Sequence, residues 1–125
     1  MKILKSLLVL SLIFFTTEVF GQELPDTYQA IFNEMVINFE TIRSGNSIKE
    51  GKNTLSVFSQ DRIVLRLEHK KQVKNLTFIK KANEEKELRW VAANQITIDM
   101  VNKYEDDLTE TLKEMLELTQ KRSKE

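Results

Sequence analysis

The chain predicts an α+β domain: an N-terminal amphipathic helix, an antiparallel meander of three to five short strands, and a C-terminal amphipathic helix. Three observations carry that expectation. Apolar residues recur every three or four positions from Tyr28 to Ile42, and again from Tyr104 to Leu118, the period of a helix with one buried side. Between them the period shortens to two, with Ile63, Leu65 and Leu67 alternating with Arg62, Val64, Arg66 and Glu68, as on a half-buried strand. Polar clusters cut the same region into short runs, as the turns of a meander do. Two such helices and one sheet bury each other's apolar sides in two layers. The alternative is an all-α bundle, because the Lys, Glu and Ala of the middle windows also suit helix.

The first element is an export signal. Lys2 and Lys5 precede an uncharged apolar run from Ser6 to Phe15, and Val19-Phe20-Gly21 places compact residues three and one positions before a cut. That is the charged, apolar and small-residue pattern of a secretory signal peptide. A membrane-spanning helix needs about 20 apolar residues, and this run reaches Thr16 and Glu18 well before that. Cleavage after Gly21 is expected to leave residues 22–125 as a single small globular domain with no integral membrane span. The expected destination is secreted or periplasmic. With no cysteine in the chain, a bacterial envelope fits better than a disulfide-stapled extracellular module.

The first helix of the domain should run from Asp26 to Ser44. Pro25 and Asp26 supply the start, and Gln29 stands at the position that reaches back in a capping box. Tyr28, Ile31, Phe32, Met35, Val36, Phe39 and Ile42 form its stripe, Ile37 projects from the opposite side, and Gly45 offers a left-handed end. Asn46–Asn53 reads as a polar loop around Gly51. Leu55 and Val57, then Ile63 to Leu67, then Leu76 and Phe78, then Leu88 to Ala92 read as strands. Their dividers are Ser59-Gln60-Asp61, His69-Lys70-Lys71-Gln72 and Asn83-Glu84-Glu85-Lys86. The segment Ile96–Met100 suits either a last strand or the start of the final helix. In that helix Asn102 and Glu105 resemble a capping pair, Asp106 and Asp107 complement the dipole at its start, and Lys121, Arg122 and Lys124 at its end. Tyr104, Leu108, Leu112, Met115 and Leu118 form its buried stripe, with Leu116 at the margin.

Chemistry has little to work with. No serine stands in a G-x-S-x-G context, and the single histidine, His69, sits in a turn between Glu68 and Lys70. One imidazole and scattered carboxylates are too few for a transition-metal site. The three glycines, Gly21, Gly45 and Gly51, form no phosphate-binding loop. The carboxylate pairs Glu84-Glu85 and Asp106-Asp107 are neighbours in a turn and at a helix start, not groups facing across a cleft. Trp90 and Phe78 read as core rather than pocket lining. No pattern names a cofactor, and the expectation is a protein that is not an enzyme.

Net charge is zero, which gives no whole-molecule reason to bind nucleic acid. Its placement is uneven. From Asp61 to Lys81 the bases Arg62, Arg66, Lys70, Lys71, Lys74, Lys80 and Lys81 outnumber Asp61 and Glu68. From Asp99 to Glu117 the acids Asp99, Glu105, Asp106, Asp107, Glu110, Glu114 and Glu117 outnumber Lys103 and Lys113. Clusters of one sign steer partners, or attract each other within the fold or between copies. Arg62, Arg66, Lys70, Lys71 and Lys74 are therefore the candidate partner-binding patch. The function expected is a non-catalytic envelope protein acting as an interaction or accessory module through a charged sheet and helix surface, on a protein partner or on itself. An anionic envelope polymer is the other kind of partner such a patch suits. The alternative function is a small-ligand or envelope-polymer binding domain with a pocket between sheet and helices near Trp90.

Overall fold

The computed structural model describes residues 22–42 and 45–125. The signal segment 1–21 and its cut after Gly21 lie outside the described residues. Helix α1 (Asp26–Thr41) is followed by strands β2 (Ser47–Glu50), β3 (Asn53–Ser59), β4 (Arg62–His69), β5 (Gln72–Ala82) and β6 (Leu88–Ala92). Helices α2 (Gln95–Lys103) and α3 (Glu105–Ser123) complete the order, and a two-residue strand β1 (Gln22–Glu23) precedes α1. One antiparallel six-stranded sheet results, in the order β1-β6-β5-β4-β3-β2. This is the expected two-layer α+β arrangement and not a helical bundle.

The helices lie on one face of the sheet. On β4 that face receives Ile63, Leu65 and Leu67, and their partners across β5 are Phe78, Leu76 and Lys74. From α1 the buried side chains are Tyr28, Ile31, Phe32 and Met35, and from α3 they are Leu108, Leu112 and Met115. Phe32 sits at the centre, its ring centroid 4.5 Å from Phe78 and 5.4 Å from Trp90. Phe39 is only half-buried at the edge of this cluster. Removing such apolar area from water supplies most of the drive to fold.

Polar side chains inside the core all have partners. Gln29 is not a capping residue: it is buried, and its amide pairs with the backbone of Trp90. Trp90 N–H donates to Gln29 Oε1 at 2.7 Å, and Gln29 Nε2 donates to the Trp90 carbonyl at 2.7 Å and to the Leu24 carbonyl at 3.1 Å. Gln29 thus continues the ladder of β6 where β1 ends. Pro25 is the N-cap, without a side-chain cap bond; its carbonyl accepts the Tyr28 and Gln29 N–H groups, and Asp26 complements the dipole in the first turn. The Trp90 indole N–H donates to Asn33 Oδ1 at 2.9 Å. Tyr28 donates to the Glu105 carbonyl and accepts from Thr109, and its burial pushes the phenol above its ordinary pKa. Among the described residues no buried side-chain polar atom lacks a partner.

Three local expectations are corrected and one open one is resolved. Helix α1 stops at Thr41 rather than Ser44, because Ile42 turns to extended backbone and packs against the core. The stretch expected as a loop holds β2, an edge strand whose one inward apolar residue, Ile48, is too little to show a period. The ambiguous segment Ile96–Met100 is helix, because Asn94 caps it by accepting from Thr97 N–H and Thr97 Oγ1. Asn102 and Glu105 are not a capping pair. Asn102 belongs to α2 and bonds to Gln22, and Tyr104 separates the two helices.

Helix α2 has a clear task at the sheet edge. Strand β6 ends at Ala92, which leaves the rest of β5 without a strand on that side. There Thr97 Oγ1 accepts the Thr77 N–H at 2.9 Å. The helix covers an edge that would otherwise invite another strand, and the outer strands β1 and β2 are both short, which is a second protection. No helix among the described residues is long and apolar enough to cross a membrane.

Candidate interaction surface

The five residues expected to form one basic patch fall into three environments. Alternation along β4 puts Arg62, Val64 and Arg66 on the face away from the helices, and both arginines are exposed. Lys70 and Lys71 form the two-residue turn between β4 and β5, closed by the His69–Gln72 pair. Lys74 lies opposite Leu67, hence on the helix side, and its Nζ is 3.7 Å from Met100 Sδ.

The turn is docked on the acidic end of the molecule. Lys70 Nζ stands 4.6 Å from the Tyr104 ring centroid and 3.3 Å from its hydroxyl. His69 Nε2 lies 3.4 Å from Asp107 Oδ2, and its ring centroid is 4.4 Å from that of Tyr104. So part of the basic segment and part of the acidic segment meet within one chain, at the junction of α2 and α3. Both turn lysines have left-handed backbone, with φ of 50° for Lys70 and 65° for Lys71. A two-residue hairpin turn requires this, and Asn-Gly meets the requirement at far lower cost.

The open face differs in kind. The Phe58 ring lies 5.8 Å from Arg62 Cζ, and among the described residues neither Arg62 nor Arg66 has an ion-pair partner. Around them lie Val64 between the two, Ile79 opposite Arg62, and Asn75 opposite Arg66. Phe58, at an irregularity in the β3–β4 register, is 60% exposed. The acids of this face are already occupied: Glu68 pairs with Lys52, and Glu23 with Arg89. Arg89 also binds Asp26 at 2.7 Å, and these two carboxylates raise its pKa.

Two contributors escaped the sequence. Tyr104 packs half-buried against the core as its spacing implies, and it also holds Lys70 and His69, which the spacing does not show. Phe58 is the extra residue where the β3–β4 register shifts between Val57 and Ser59, and it stands exposed although it is apolar. Trp90 and Phe78 are fully buried core residues. An open hollow of about 170 Å³ lies against Val36, Phe39 and Val57, at the far end of α1. Among the described residues no three His, Asp or Glu side chains gather into a cation site. The fold and this surface define a two-layer α+β domain with one helix-covered and one open sheet face. No family model, curated protein or solved structure matches the chain.

Proposed function

We propose that the chain is exported, loses residues 1–21, and works as a non-catalytic interaction module whose contact surface is the open face of the sheet. One observation carries this reading. Arg62 and Arg66 stand at the middle of a six-stranded sheet, around apolar Val64, with no carboxylate of the described chain paired to them. Guanidinium groups beside apolar side chains are the composition that interfaces favour. The hairpin tip is a weaker contact surface, since Lys70 is engaged by Tyr104 and His69 lies against Asp107.

The test is affinity capture from native envelope extract, with the wild type beside Arg62→Glu/Arg66→Glu. A partner retained by the wild type and lost by the variant is the expected result. Capture that is the same for both would refute the open face as the contact surface.

A further inference from the structure

We infer that the partner fitted by the open sheet face is the outward side of helix α3 in a second copy of this chain, so that copies stack head to tail. The inference rests on the open face being a contact surface, and it names what that surface takes. The argument begins with what the single chain leaves unpaired. At the hairpin tip the two charged segments already meet. Farther along, Arg62 and Arg66 lie on one side of the two-layer domain, while Glu110, Glu114 and Glu117 are exposed on α3 in the helix layer on the other side. None of these five has an ion-pair partner among the described residues. Back to back, they cannot reach each other in one molecule. Between two molecules they can.

The spacings agree. Arg62 and Arg66 are four residues apart on a strand, about 13 Å. Glu110 and Glu117 are seven residues apart on a helix and on one side of it, about 10–11 Å. Long side chains span that difference, and a guanidinium takes a carboxylate through two parallel hydrogen bonds. The sheet face also offers an apolar contact, Phe58, 60% exposed beside Arg62, and in the helix layer α1 carries Ile37, 62% exposed. A contact between unlike surfaces on opposite sides of one molecule does not close in a pair, and so it continues from copy to copy.

Sedimentation equilibrium of the purified protein tests this at low and high salt, since exposed charges act over about 30 Å at 0.01 M salt and ~3 Å at 1 M. The wild type should gain mass with concentration at low salt, pass the dimer without a plateau, and return to monomer at high salt. Arg62→Glu/Arg66→Glu and Glu110→Lys/Glu117→Lys should each remain monomeric, with unchanged circular dichroism. Mixed in equal amounts, the two variants should associate again and grow in alternation, since the acidic helix of one meets the basic face of the other and the two reversed surfaces are complementary as well.

A wild type that stays monomeric at low salt, or a mixture that stays monomeric while the wild type associates, overturns the second-copy inference. If that monomer nonetheless captures an envelope partner through Arg62 and Arg66, the proposed function stands and only the identity of the partner falls. Should Arg62→Glu/Arg66→Glu associate as the wild type does, the open face fails as a contact surface altogether.

Discussion

The two faces of strand β4 lie on one backbone and meet opposite fates. Ile63, Leu65 and Leu67 point under the helices and are buried, whereas Arg62, Val64 and Arg66 point to the open side. On the covered side even the polar groups are satisfied by the chain itself, as Gln29, Asn33 and Tyr28 show. On the open side the arginines are left over. A substitution under the helices should therefore act on stability, and one on the open face should act on association. The hairpin tip lies between these cases, because Lys70 is exposed and yet engaged by Tyr104.

The largest effect tests the covered face. Phe32 touches Phe78 and Trp90 and is fully buried, so Phe32→Ala should lower stability by about 3–5 kcal/mol. A urea titration measures it. Phe39→Ala, at a half-buried site, should cost clearly less. Equal losses would mean that the core extends farther along α1 than burial indicates.

Gln29→Ala comes next. It removes the partner of the Trp90 N–H and one acceptor-side bond of the Trp90 carbonyl, and a buried group left unpaired costs about 1–3 kcal/mol. Amide hydrogen exchange at Trp90 should accelerate along with the loss of stability. Slow exchange in the variant would show that β6 does not depend on this side chain.

That glutamine shows what the sequence could and could not tell. The helix stripes and the alternation of β4 were legible, because burial on one side imposes a period. Gln29 carried the signature of a cap, and only the tertiary approach of β6 gives it a different use. Strand β2 was illegible for the opposite reason: an edge strand with Ile48 as its single inward apolar residue has no period to read. The charge segments were visible as counts. Which charges pair at the hairpin tip and which remain on the open face follows from the parity of β4 and β5 and from the bend at Tyr104, and neither is a property of composition.

Smaller still is the effect at the turn. Lys71 has φ of 65°, where a side chain on Cβ costs roughly 1–2 kcal/mol relative to glycine in the folded state. Glycine recovers this only in part, since it also loosens the unfolded chain. Lys71→Gly should raise stability by about 0.5–1 kcal/mol, seen as a higher urea midpoint with an unchanged slope. Lys70→Gly should gain less, because it also gives up the contact with Tyr104. Equal gains at both sites would show that the docking of the turn contributes nothing.

The smallest effect on stability is the one that separates the faces. Arg62 and Arg66 are exposed, and neither has an ion-pair partner among the described residues. Charge reversal at both should leave stability within about 0.5 kcal/mol of the wild type, as surface substitutions away from special contacts do. Lys70→Glu behaves differently, because it removes the cation from the Tyr104 ring and brings a carboxylate to the acidic start of α3. It should therefore lower the urea midpoint measurably, and less so at high salt, where repulsion from that acidic turn is screened. Comparing the two variants by urea titration at both salts isolates the contrast. If Arg62→Glu/Arg66→Glu proves the more destabilising, the open-face arginines support the sheet, and the division of labour between the two sides of β4 is lost.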